Sequence, residues 1–107
     1  MIHRIYEMAN YRPKETGLLM VIWLQPKTGK EKHGCRIKVE RDYGDKSKND
    51  TFTITIPDLK VIGDTGKIRQ EDITDLKRFI QLNMDIIKLF WDDEISSTDF
   101  GLRIKHL

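Results

Sequence analysis

Up to about residue 62 the apolar residues recur at every second position or in short unbroken runs, and from about residue 72 they recur at every third or fourth. The first pattern is that of strands and the second that of a helix. Leu18 to Leu24 are seven consecutive apolar residues between Gly17 and Pro26, the length and punctuation of a strand buried on both faces. This run reads as the central strand. Cys35 to Arg41 alternates, with Cys35, Ile37 and Val39 on one face and Arg36, Lys38 and Glu40 on the other, so it predicts a half-exposed antiparallel strand. Thr51 to Ile56 alternates strictly in β-branched and aromatic residues and is the strongest strand signal in the chain, with Phe52 in the core. Leu59 to Ile62 predicts a short edge strand. The paired glycines of Gly63-Asp64-Thr65-Gly66 then suit positive φ or close backbone approach.

From Asp72 to Trp91, Ile73, Leu76, Ile80, Asn83, Ile87 and Phe90 form one stripe at helical spacing, and Phe79, Leu82, Ile86 and Leu89 a second beside it. One long helix follows, starting between Gln70 and Asp72, where Glu71, Asp72 and Asp75 favour the positive end of its dipole. Asp92-Asp93-Glu94 opposes the dipole, which places the helix end at Trp91. Ser96 or Ser97 is the expected cap of a short last helix, Asp99 three residues after Ser96 approximating a capping box, and that helix turns Phe100, Ile104 and Leu107 to one side. Residues 2 to 8 alternate too irregularly to decide between a strand and an unstructured arm, and Asn10 to Lys14 with Pro13 breaks the pattern; residues 1 to 16 are an arm, loosely held, in one reading of a single domain spanning 1–107. Strands first and helices last argue an α+β fold, an antiparallel sheet of four to five strands packed against one long C-terminal helix with a short final helix.

Composition narrows the class. The 107 residues are 38% hydrophobic and 34% charged, which sets the chain outside the low-hydrophobicity, high-charge range of disorder. Its one cysteine cannot bridge within the chain, and no apolar run approaches the roughly 20 residues of a membrane span. No basic stretch followed by an apolar region opens the chain, so the expected compartment is the cytoplasm, with no membrane partner and no cofactor.

Charge adds what the total conceals. The net charge is +2, yet residues 27 to 48 hold eight Lys/Arg against four acids, and residues 70 to 99 hold three against eight. The basic region predicts a β-hairpin face that contacts an acidic partner, a protein surface or nucleic acid, through Lys30, Lys32, Arg36, Lys38 and Arg41. Such charge runs are also commonly solvated faces that blunt edge pairing.

Candidate chemistry is sparse. His33, next to Lys32 and two residues from Cys35 and three from Arg36, is the one place where a base, a thiol and cations meet, and it defines the alternative of a small nuclease-type toxin. Strand parity opposes it, because Cys35 then faces inward with Ile37 and is inert. Gly66-Lys67 lacks the rest of a phosphate-loop motif, and a tight turn from strand to helix explains that segment better. Asn83, on the apolar stripe, either satisfies a backbone group within the fold or fixes register in a homodimer built through the long helix, and Trp91 is the companion contact for such a dimer or another partner.

The stretches Lys32 to Val39, Phe52-Thr53-Ile54, Gly63 to Gly66, Phe79 to Asn83 and Phe90 to Ile95 together resemble small proteins of bacteria and their mobile elements whose activity is not established. The resemblance spans residues 18 to 107 and carries over no catalytic residue. It implies an accessory role such as an inhibitor or a toxin–antitoxin component. With the chain consumed by one helix and four or five strands, surface recognition is expected over catalysis.

Overall fold

The computed structural model describes residues 8–27, 34–44 and 50–107. Among these residues five strands form one antiparallel sheet in chain order: β1 (Ala9–Tyr11), β2 (Ile22–Leu24), β3 (Arg36–Glu40), β4 (Thr51–Thr55) and β5 (Val61–Ile62). A single-turn helix α1 (Pro13–Thr16) lies between β1 and β2, and α2 (Gln70–Leu82), α3 (Met84–Trp91) and α4 (Ser97–Arg103) follow the sheet. This is the α+β class that the order of periodicities predicts.

Register explains which side chains the helices cover. Tyr11 pairs with Ile22, Ile22 with Val39 and Val39 with Phe52, while Ile37 pairs with Ile54. These six are buried and share one hydrophobic cluster with Leu76, Phe79, Ile80, Ile87, Phe90 and Phe100 of the helices. Each large apolar side chain removed from water contributes roughly 1.5–3 kcal/mol, so the contact of sheet with helices is the main source of stability. The opposite face of the sheet is only partly covered, which is the usual condition of an antiparallel sheet packed on one side.

Four expectations are corrected. The run Leu18 to Leu24 is not the central strand: only Ile22–Leu24 is extended in the sheet, β3 occupies the middle, and Leu19 is 51% exposed. A sheet with one covered face has no place for a strand apolar on both sides. The second correction concerns residues 9 to 16, which are not a loose arm, since β1 pairs with β2 and Tyr11 is buried with its hydroxyl donating 2.8 Å to the Ser97 carbonyl. Pro13 does not interrupt structure there but starts α1, whose first turn needs no amide hydrogen, and Gly17 ends it at φ 80. Third, the apolar stripe from Asp72 to Trp91 is two helices broken at Asn83. Fourth, Glu40 is 2% exposed instead of standing in solvent with Arg36 and Lys38, and the Trp23 indole donates 2.9 Å to its carboxylate.

The helix ends follow their capping chemistry. The Ser96 hydroxyl accepts from the Asp99 amide at 3.0 Å and starts α4 as expected. α3 does end at Trp91: Asp93 takes φ 60, its amide donates to the Phe90 carbonyl and the Glu94 amide to the Leu89 carbonyl, the paired bonds of a Schellman motif. The Lys27 ammonium lies 3.0 Å from the Asp92 carboxylate and offsets the unfavourable charge at that end.

Candidate functional site

Alternation along β3 and β4 divides their side chains into two sets. Ile37, Val39, Phe52 and Ile54 enter the core, so Arg36, Lys38, Thr51, Thr53 and Thr55 stand on the outer face. Pairing extends this set sideways: Asn10, Trp23, Lys38, Thr53 and Ile62 form one row across all five strands. Glu40 is the one carboxylate among the side chains that this register places on the outer face, and it is the one that is buried. What remains accessible there is two cations, hydroxyls, part of an indole and the half-exposed Ile62. At the β5 side, Gly34, Arg36, Thr53, Thr55 and Ile62 line a groove of about 480 Å3.

The predicted partner-binding residues separate in space. Arg36 and Lys38 lie on the outer face. Arg41 lies past the end of β3, where its guanidinium pairs with Asp50 at 3.3 Å and its carbonyl accepts from the Lys67 amide at 2.8 Å. The Gly63–Gly66 turn presses on it, so Arg41 organises the strand-to-helix connection. Lys30, Lys32 and His33 fall outside the described residues.

A polar cluster joins the loop after β3 to the start of α2. The Tyr43 hydroxyl donates to the Asp72 carboxylate and accepts from the Arg69 amide at 2.8 Å, and the Arg69 guanidinium lies over the Tyr43 ring and 3.2 Å from Asp72. The Tyr43 bond, reinforced by Arg69, holds the Asp72 carboxyl below its ordinary range. A carboxylate held more acidic in the folded chain stabilises it above the unfolded-state value, and that contribution is lost as pH falls through the folded-state value. Tyr43→Phe is therefore expected to flatten the acid limb of a stability–pH curve. Urea midpoints measured between pH 7 and pH 2.5 check this, and an unchanged limb would show that Asp72 does not set it.

Cys35 follows its parity. Its thiol is partly buried beside the core, and burial pushes it up to about 11. Two units above its ordinary value leave roughly 100-fold less thiolate at neutral pH. Alkylation by iodoacetamide at pH 7.5 is expected to be slower than that of a free cysteine by about that factor and to accelerate with pH; a rate like the free thiol's would contradict the burial argument.

Asn83 is fully buried, and its amide is engaged within the chain: Nδ2 donates to the Phe79 carbonyl at 3.0 Å and to the Lys105 carbonyl at 2.9 Å, while Oδ1 accepts from the Lys105 amide at 2.8 Å. The geometry supports the first of its two readings, satisfaction within the fold. Trp91 is half-buried, and its carbonyl accepts from the Lys27 amide at 2.8 Å. The threonines of β4 were legible from their parity opposite Phe52 and Ile54. The place of Trp23 beside Lys38 was not, since it depends on the pairing of β2 with β3.

Among the described residues no three His, Cys, Asp or Glu side chains come together in a way that could hold a metal ion, and no helix is long and apolar enough to cross a membrane. Comparison with models of known protein families, with curated proteins and with solved structures found no match to this chain.

Proposed function

We propose that this chain is a non-enzymatic binding module that meets an acidic partner with the outer face of its sheet. The observation that carries the reading is the segregation of charge across the two layers. Arg36 and Lys38 stand on the outer face, whose one carboxylate, Glu40, is buried and accepts a bond from the Trp23 indole. The acidic residues of 70–99 belong to the helical layer, where Glu71, Asp75 and Asp85 are exposed. A face with two cations and no exposed carboxylate, set against a helical layer in which acids outnumber bases, favours approach of a polyanion to the sheet. Along the chain Lys30 and Lys32 lead into β3 around Glu31, whereas after it Lys46 and Lys48 are balanced by Asp42 and Asp45, so the sequence adds net positive charge before that strand and none after it.

Retention on immobilised heparin, a polyanion, tests this directly. The wild type is expected to elute at higher salt than the Arg36→Gln/Lys38→Gln double variant, and a Lys77→Gln/Arg78→Gln variant, altered in the helical layer, is expected to elute with the wild type. Both double variants eluting with the wild type, or no retention of the wild type at all, would overturn the proposal.

A further inference from the structure

The chemistry of the outer face distinguishes between kinds of acidic partner. A carboxylate-rich protein surface needs only matching cations. A single-stranded nucleic acid also offers flat bases, which stack on aromatic rings, and phosphates and sugars that bond to hydroxyls. Beside Arg36 and Lys38 the sheet places both kinds of group. Trp23 is the direct cross-strand partner of Lys38, and its indole is held by the bond from Nε1 to Glu40, so the ring's position is fixed before any ligand arrives. Thr53 is the partner of Lys38 on the other side and brings its hydroxyl beside it, whereas Thr55, the partner of Arg36, donates its own hydroxyl to Asp58 and accepts from the Lys60 amide at 3.1 Å. Thr53 and Thr55 line the same groove as Arg36, whose apolar lining is Ile62, 50% exposed, with Ile56 and Cys35. At about 480 Å3 this groove lies within the usual range of small-ligand sites, roughly 300–1,000 Å3. None of the residues lining it is acidic.

We infer that the acidic partner of this face is a single-stranded nucleic acid, its phosphates held by Arg36 and Lys38, one base against Trp23 and a neighbouring nucleotide in the groove between Arg36 and Ile62. This rests on the binding-module reading above and deepens it. A strand crossing the sheet from β2 toward β5 meets Trp23, Lys38, Thr53 and Ile62 in order, since these four share one row of the register. Bases are then read by stacking and backbone by charge, so the affinity carries little sequence preference.

The test uses the full chain carrying Trp91→Phe, so that Trp23 is the sole indole, with fluorescein-labelled 12-nucleotide single strands of RNA and of DNA and with polyglutamate of matched charge. Binding is followed by anisotropy for the labelled strands and by competition for polyglutamate, at about 50 and 200 mM salt. The expected result is that one or both strands bind at least tenfold more tightly than polyglutamate and quench Trp23 emission, while polyglutamate leaves the emission unchanged. Arg36→Gln/Lys38→Gln is expected to reduce the salt slope by about 1.4, at roughly 0.7 per phosphate contact of a single strand. Ile62→Glu, at an exposed edge position where folding is verified by circular dichroism, is expected to weaken strand binding about tenfold. Equal binding of strands and polyglutamate with a silent Trp23 would overturn the nucleic-acid inference and leave the acidic-partner reading standing. Failure of every polyanion to bind would overturn both. Strand binding indifferent to Ile62→Glu would remove the groove from the site. The RNA and DNA arms identify which strand is the ligand, with RNA favoured where the 2′-hydroxyl bonds to Thr53.

Discussion

Gly66→Ala is expected to lower the unfolding free energy by about 3 kcal/mol, which for a domain of this size lowers Tm by more than about 10 °C. Two costs coincide at this position. The backbone takes φ 63, where a side chain costs about 1–2 kcal/mol, and a β-carbon there would stand 2.6 Å from the Arg41 β-carbon and 2.7 Å from the Arg41 carbonyl oxygen. Neither neighbour is the far end of a flexible side chain. The carbonyl is held by the Lys67 amide at 2.8 Å and the Arg41 amide donates 2.9 Å to the Asp50 carbonyl, so the backbone around Arg41 is tied on both sides. Gly63 provides the control. Its φ is 97, yet an added β-carbon would find only ordinary contacts at 3.8 Å, and Gly63→Ala is expected to cost about half as much. Thermal unfolding of the two variants side by side separates the terms: equal losses would mean that the turn moves away from Arg41 and that close approach is not what the glycine serves.

The contrast between these glycines marks how far the sequence could be read. That two glycines three apart after an edge strand need unusual backbone was legible from residue chemistry, and both do take positive φ. That Gly66 abuts Arg41 was not, because the contact joins the end of β3 to a turn more than twenty residues later. The same boundary runs through the sheet. Strict alternation in Thr51–Thr55 and Arg36–Glu40 assigned faces correctly for Ile37, Val39, Phe52 and Ile54, since parity within a strand is a local property. Glu40 followed its parity but not its expected exposure, and its carboxylate takes a bond from Trp23 on a different strand. The run from Leu18 misled for a related reason: apolar continuity signals burial, and most of these residues are buried, but only three of the seven are in the sheet. Among the candidate binding residues, the charge count could gather Arg36, Lys38 and Arg41 into one region but could not separate the two that face outward from the one beneath the glycine turn.

Charge segregation gains its meaning from the layer arrangement. A basic stretch and an acidic stretch in one chain produce no field if they interleave in space. Here the antiparallel sheet turns its outer-strand residues away from the helices, and the core between them holds the two sets apart by the thickness of a packed layer, about 10 Å, close to the screening length at physiological salt. Acids outnumber bases by eight to three over residues 70–99, whereas Arg36 and Lys38 are the charged side chains left accessible on the outer face, and this contrast is what supports the proposed binding of a polyanion by a chain of net charge +2.

Asn83→Ala is expected to cost about 2–3 kcal/mol, and the way in which the loss depends on protein concentration decides between its two readings. The side chain sits where the helical stripe breaks, at φ −110 and ψ 16; two of its three bonds tie Lys105 to the α2–α3 junction and the third returns to the Phe79 carbonyl. Truncation removes all three and leaves the Lys105 amide and carbonyl without that partner, at about 1 kcal/mol for each bond lost. The Phe79 carbonyl keeps the backbone amide of Asn83 at 3.1 Å, which limits the cost on the helix side. Asn83→Asp, of nearly the same shape, can still accept from the Lys105 amide but sets a buried carboxylate against two carbonyl oxygens. It is expected to be the more damaging variant at pH 7 and to recover part of the loss on acidification, when the protonated acid can donate again. Hydrogen exchange at the Lys105 amide is expected to accelerate in both variants. If the amide serves this chain internally, the loss in Tm is the same at every protein concentration. If instead Asn83 set the register of a dimer, the wild type would be stabilised by raising its concentration and the variants would not, because mass action links association to apparent stability. With every bond of the amide found within one chain, the concentration-independent loss is the expected result.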